Sequence, residues 1–146
     1  MTDREHFDLA DFLPYLLNQA AEASSRQFQD HYRKKYGMLR TEWRVLFHLG
    51  RYGKLTAKEI SARAAIHKTK ISRAVAALQS KRYLHREGDP MDRRAEHLSL
   101  TREGERVYAD LANAARAHDA AMSATFTPDE DQILRACLAR ITRNSR

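Results

Sequence analysis

The chain has 146 residues, 42% hydrophobic and 31% charged, enough for one core with appended arms and much solvated surface. No apolar run reaches the ~18 residues of a membrane helix, and the single cysteine, Cys137, excludes an intrachain disulfide framework or a paired-cysteine metal knuckle. The net charge of +7 is segregated: Gly37–Thr101 holds 14 Lys/Arg against 6 Asp/Glu and the remainder 12 against 13, so a polyanion is the expected partner of the middle segment.

The opening MTDREHFDLADF lacks the basic-then-apolar order of a secretion signal, which predicts a cytoplasmic protein. Phe12, Leu13, Leu16, Leu17, Ala20 and Ala21 then recur at helical spacing, and the stripe continues to Phe28 and Tyr32. With Pro14 in the first turn and Gly37 behind Tyr36, this predicts a helix from about Pro14 to Tyr36. It would span ~35 Å, more than one small lobe can cover, so part of the stripe is expected to pack against a partner chain. Thr41 is the expected cap of a second helix, with Trp43, Val45, Leu46 and Leu49 inward and Gly50 or Gly53 at its end.

Thr56-Ala57-Lys58-Glu59 is a capping-box pattern that opens a third helix, with Ile60 and Ala64 on its buried side. After Ala65–Ile66 a fourth helix is expected from about Lys68 to Lys81, burying Ile71, Ala74, Val75 and Leu78. Lys68, Thr69, Lys70, Ser72 and Arg73 project from its start. A capped helix, a short turn and a basic second helix form a helix-turn-helix, so these five are candidate DNA contacts rather than a solvated face.

Tyr83–Glu87 and Ala95–Leu100 read as short strands, with Leu98 and Leu100 on a buried face. Gly88, Asp89 and Pro90 mark the turn, which puts Asp92, Arg93 and Arg94 at the hairpin tip or just past it. An arginine there can reach a minor groove, where width and negative potential are read. Asp92 is expected to hold one arginine in place through a charge-assisted bond. Thr101 caps a further helix carrying Val107, Tyr108, Leu111, Ala114 and Ala115. Thr127-Pro128-Asp129-Glu130 opens the last, with Ile133, Leu134, Cys137, Leu138 and Ile141 on one face. One-sided helices at both ends predict a dimerisation lobe.

This order of elements resembles the MarR-type winged helix-turn-helix regulators over nearly the whole chain. The resemblance is carried by Glu42-Trp43-Arg44-Val45-Leu46 and by Lys68-Thr69-Lys70-Ile71-Ser72-Arg73-Ala74. Its most specific part is Asp89-Pro90-Met91-Asp92-Arg93-Arg94 followed by Leu100-Thr101-Arg102-Glu103-Gly104. It implies a mainly α fold with a small β-hairpin wing, a winged helix-turn-helix lobe plus a helical dimerisation lobe. The expected boundaries within this one interwoven domain are 1–36, 37–101 and 102–146, the outer two being dimerisation helices. It also implies a homodimeric repressor on a pseudo-palindromic operator in double-stranded DNA, released by a small, often aromatic, acid. Lys68, Thr69, Lys70, Ser72 and Arg73 then take the recognition-helix positions, and Asp92 and Arg94 the wing positions. Two residues depart from the pattern. His67 replaces the usual Asp and is expected to cap the recognition helix poorly. Arg82 replaces the usual Gly, at a cost of ~1 kcal/mol if its backbone is left-handed.

For an effector carboxylate, Arg26, Trp43, Arg44 and Phe47 offer cations and aromatic walls; the competing reading makes Trp43 and Phe47 core and the arginines surface. Cys137 reads as a small inert hydrophobe rather than a redox sensor. His85 and His97 are placed to face each other on the wing, but nothing completes a metal site. No paired carboxylates or other catalytic motif occur in the basic segment, so neither an enzyme nor a cofactor is expected. The alternative is a non-specific architectural DNA-binding protein, which would need neither a patterned recognition helix nor an effector pocket.

Overall fold

Local chemistry sets the ends of most elements in the computed structural model, which describes residues 6–144. After a short 3-10 turn at Leu9–Asp11, helix α1 (Leu13–Tyr36) runs to Gly37, which closes it at φ 63° and ψ 25°. That left-handed cap suits a residue without a Cβ. Helix α2 (Arg40–Tyr52), strand β1 (Leu55–Thr56) and helix α3 (Ala57–Ala64) follow. Thr56 Oγ1 accepts from the Glu59 N–H at 3.1 Å and Glu59 Oε1 accepts from the Thr56 N–H at 3.3 Å, a complete capping box. Then come helix α4 (Lys68–Ser80), strands β2 (Leu84–Asp89) and β3 (Asp92–Leu100), and helices α5 (Arg102–Ser123) and α6 (Pro128–Asn144). Thr101 caps α5 through the Gly104 N–H at 3.0 Å, and Thr127 with Glu130 forms a second capping box at α6. Gly104 is also a packing requirement, because a Cβ there would run into the Tyr83 carbonyl.

One end of α2 differs from expectation, and the other settles on one of the two glycines expected. Thr41 lies inside α2, whose cap residue is Leu39. Leucine has no acceptor, so the bond is made from the other side: Glu42 Oε2 accepts from the Leu39 N–H at 2.8 Å. Gly50 is interior to α2, against the Tyr108 ring, and Gly53 ends the helix.

The strands form one antiparallel sheet in the order β1-β3-β2. Its hairpin is longer than expected. Leu84 pairs with Leu100, Arg86 with Leu98 and Gly88 with Glu96, and an irregularity at Gly88/Asp89 lets Asp89 pair with Asp92. The turn is therefore Pro90–Met91, and Asp92, Arg93 and Arg94 open β3 instead of occupying a loop. Leu98 is buried as expected, while Leu100 is half-buried. Strand β1 joins through Leu55 opposite Leu98.

The core sits in the middle lobe. Val45, Leu46 and Leu49 of α2 meet Ile60, Ile71, Leu78, Leu98 and Leu111, all nearly inaccessible. Helix α1 joins only through its later turns, with Phe28 and Tyr32 buried. The ends look different. Helix α6 has no buried residue; Leu134 and Leu138 are exposed, as is Cys137, and so are Phe12, Leu13 and Leu16 ahead of and at the start of α1. Polar bonds tie α6 to α5: Arg135 donates to Asp119 at 3.0 Å and to Ser123 at 2.7 Å, and Ser123 Oγ donates to Asp131 at 2.9 Å. Among the described residues no helix is long and apolar enough to cross a membrane.

Candidate nucleic-acid interface

The apolar spacing of α4 decides which of its residues reach solvent. Ile71, Ala74, Val75 and Leu78 turn into the core, which leaves Lys68, Thr69, Lys70, Ser72 and Arg73 exposed on the opposite side. Before α4 the chain turns at Ala65, a left-handed residue at φ 54°. The turn is held by Ser61 Oγ donating to the Ile66 carbonyl and by Arg44 Nη2 donating to the Ala64 carbonyl at 2.9 Å. Desolvation, and then the nearby Arg40, hold the Arg44 guanidinium below its ordinary pKa.

His67 is a better cap than expected. Its Nδ1 accepts from the Thr69 N–H at 3.2 Å, which requires the neutral tautomer carrying its proton on Nε2. A helix start thus gains a partner without adding a carboxylate to the exposed basic face of α4. Arg82, after α4, is left-handed at φ 65°. Its carbonyl accepts from Thr101 Oγ1 at 2.7 Å and its N–H donates to the Gln79 carbonyl at 2.9 Å, bonds that hold this conformation against its steric cost of ~1 kcal/mol.

On the wing, Asp92 does not hold a guanidinium as expected. Its Oδ1 accepts from the backbone N–H of Arg94 at 2.9 Å, shaping the strand entry and leaving the Arg93 and Arg94 side chains exposed. Asp89 repeats the arrangement with the Met91 N–H at 2.8 Å. That bond, and then one from His97, pull the Asp89 pKa below the usual carboxylate value. His85 and His97 share a face of the hairpin on diagonal positions and bind other partners: His85 pairs with Ser99 Oγ at 3.0 Å and His97 with Asp89 at 3.3 Å. No group of His, Cys, Asp or Glu among the described residues is arranged to hold a metal.

A groove of ≈ 590 Å³ runs between α4 and β3, and Ser72, Asp92, Arg93 and Arg94 all line it. Lys68, Thr69, Lys70 and Arg73 lie on the exposed face of the same helix outside the groove lining. Two cations in the groove, Lys58 and Arg86, were missed by sequence reasoning. The capping box offered a signal for Lys58, since it fixes the first turn of α3. Arg86 had none. Its role is tertiary: Nε donates to Gln79 Oε1 of α4 at 2.8 Å and Nη1 to Glu96 of β3 at 3.2 Å, tying wing to helix.

The candidate effector residues do not converge on one cavity. Trp43 and Phe47 pack edge to face at 5.0 Å in an aromatic cluster with Phe28, Tyr32 and Tyr108. Arg26 lines a separate cleft of ≈ 220 Å³ with Tyr32 and Arg40. Phe47 lines another, with Tyr52 and Tyr108, and Arg44 is bonded to Ala64.

Residues 36–95 match the family model of the MarR family. A probable transcriptional regulator from Pseudomonas aeruginosa shares the fold at 28% identity and TM-score 0.81, over 92% of this chain and 99% of that one. A MarR-family transcriptional regulator from Silicibacter pomeroyi shares it at 27% identity and TM-score 0.80, over 95% and 93%. BpsR of Bordetella bronchiseptica, whose DNA binding is regulated by 6-hydroxynicotinic acid, shares the fold at 17% identity and TM-score 0.83, over 94% and 97%. No curated protein sequence matches the chain. The sequence match over residues 36–95, together with a fold shared over nearly the whole length with regulators at 28% and 27% identity, makes the chain similar to the MarR-family transcriptional regulators.

Proposed function

We propose that the protein is a homodimeric repressor that reads a pseudo-palindromic operator in double-stranded DNA and leaves it when a small aromatic acid binds. One observation carries this: Ser72 of α4 and Asp92, Arg93 and Arg94 of β3 line a single groove, and Lys68, Thr69, Lys70 and Arg73 are exposed on the same helix beside it. Lysine and arginine supply a salt-dependent attraction to phosphate, while one or two α4 side chains read base edges in the major groove. A β3 arginine enters the neighbouring minor groove. In this scheme the helices within 1–36 and 102–146 build the dimer, and the protein works beside its DNA in the cytoplasm. The exposed leucines Leu13, Leu16, Leu134 and Leu138 support the dimer, because a second copy would remove them from water.

The effector part draws on BpsR and on the aromatic cluster. Trp43 Nε1 is buried with no hydrogen-bond partner among the described residues, and an acceptor oxygen on a bound acid would satisfy it. Trp43 and Phe47 are the proposed aromatic wall. Arg26 is the proposed cation, since its cleft includes Tyr32, whose ring lies 5.7 Å from that of Trp43. Arg44 is the weaker candidate because a carbonyl already occupies it.

The test is to let the purified protein select duplexes from a randomised library, then compete selected against random duplex. A strong preference for the selected duplex is expected, and aromatic carboxylates should reverse the binding. Equal affinity for both duplexes would mean a non-specific architectural DNA-binding protein.

A further inference from the structure

Helix α2 reaches the DNA-reading helix α4 near both of its ends. Glu42 is the one buried charged residue among those described, at 4% exposure. Its Oε2 is committed to the Leu39 N–H at the start of α2, and its Oε1 accepts from Lys81 Nζ at 3.1 Å. Lys81 is the residue that caps the C-terminal end of α4. Two positions along, Arg44 Nη2 donates to the carbonyl of Ala64, the last residue of α3 and the entrance to the turn that leads into α4. Side chains two apart on a helix do not face each other, so this pair fans out to two separated points. Trp43 lies between them and packs on α1 through Phe28 and Tyr32.

We infer that Glu42 and Arg44 are positioning residues for DNA reading: together they fix the orientation of α4, one from its C-terminal end and the other from the turn at its N-terminal end. Stability alone does not account for them. The Glu42–Lys81 pair is only half-buried, with the Lys81 side chain 30% exposed, and an ion pair that is partly desolvated gives little net stability over a well-packed apolar pair of the same volume. Packing of side-chain ridges restricts the angle between two helices, and fixed donor–acceptor geometry adds a directional constraint to it. With both clamps one residue away from Trp43, a small rotation of α2 about its axis would shift both ends of α4 at once. The inference rests on the proposed role of α4 in reading DNA.

The test uses the full-length protein and four variants: Glu42→Gln, Arg44→Met, Arg44→Lys and Lys81→Gln. Each is assayed on a duplex enriched by the wild type from a randomised library, on random duplex, and by thermal unfolding. Glu42→Gln removes a negative charge, so bare electrostatics would tighten binding to any DNA. Positioning instead predicts roughly tenfold weaker binding to the enriched duplex, the size of one charge-assisted hydrogen bond, with random duplex bound as well as before or better. Arg44→Met should show the same selective loss with the salt dependence unchanged, and Arg44→Lys, which can still reach the carbonyl, should recover most of it. Lys81→Gln carries the test if Glu42→Gln unfolds. Wild-type affinity for the enriched duplex in Arg44→Met and Lys81→Gln would overturn the inference. So would equal weakening on both duplexes with the log–log salt slope reduced by about one, since Arg44 would then be a phosphate contact. A wild type that enriches no duplex would instead remove the underlying proposal that α4 reads sequence.

Discussion

The middle lobe and the two ends of this chain satisfy opposite demands. Between Gly37 and Thr101 the protein carries its entire charge excess on the outside of a closed core, with Leu46, Ile60, Ile71 and Leu78 fully buried. The ends are nearly charge-balanced, yet leave apolar side chains in water: Leu13 is 56% exposed and Ile133 62%. Helix α6 is attached to its own chain by Arg135 and Ser123 while its leucines point elsewhere. A lobe whose core is closed, here with Phe28, Tyr32, Val107 and Leu111 of the neighbouring helices, can spend its surface on a ligand. Helices whose apolar faces are open are the ones the proposed second copy would cover.

Removing residues 127–146 should break this contrast most severely. The chain is expected to become monomeric in analytical ultracentrifugation, and affinity for a selected duplex should fall about a hundredfold or more as bivalent binding is lost. A truncated chain that still dimerises would refute the role given to α6. Next in size, Leu78→Ala should destabilise the protein by ~2–5 kcal/mol in denaturant titrations, as expected for a cavity in a closed core. Leu138→Ala should instead raise the dimer dissociation constant by roughly tenfold. It should leave unfolding of the monomer, measured at dilution, unaltered.

Smaller effects separate the DNA face from its support. Arg73→Ala and Arg94→Ala should each weaken binding to the selected duplex by ~1–3 kcal/mol while the dimer stays intact. Wild-type binding in either would remove that residue from the interface. The smallest effect concerns the junction of the two regions, where Tyr36 at the end of α1 donates to Asp110 of α5. Burial first, and the bond to Asp110 second, push the Tyr36 hydroxyl from 10.0 up to about 12. A pKa raised by folding means stability held below pH 10.0 and lost as pH rises toward about 12. Tyr36→Phe should flatten that part of the stability-versus-pH curve, and an unchanged curve would show that the hydroxyl is not the group titrating.

Much of this was legible in the residues because it is encoded locally. Thr56 with Glu59, Thr101 with Gly104, and Thr127 with Glu130 set helix starts within one turn, and Ile71, Ala74, Val75 and Leu78 mark a face by spacing alone. What escaped depends on partners distant in sequence. A two-residue strand such as β1 has no alternation to read and exists only because Leu55 meets Leu98. Gly88 and Asp89 are turn formers by type, yet the pairing continues through them. Thr41 is a good cap by chemistry but lost the position to Leu39, because Glu42 supplies the bond. His67 caps through a ring nitrogen, a role its side chain takes only in one tautomer. Arg86 became part of the groove through Gln79 and Glu96, neither adjacent to it. Three of the four candidate effector residues, Trp43, Arg44 and Phe47, shared one helix in sequence and Arg26 sat on another, but the fold turned Trp43 Nε1 inward and bound Arg44 to the turn.

The central claim is that two copies of the middle lobe grip one duplex, held apart by the ends. Hydroxyl-radical footprinting of the protein on a selected duplex tests it directly. Two protected patches related by a dyad and separated by about one helical turn (roughly 10 base pairs), or a multiple of it, are expected. A single patch, or protection spread evenly along the duplex, would contradict it.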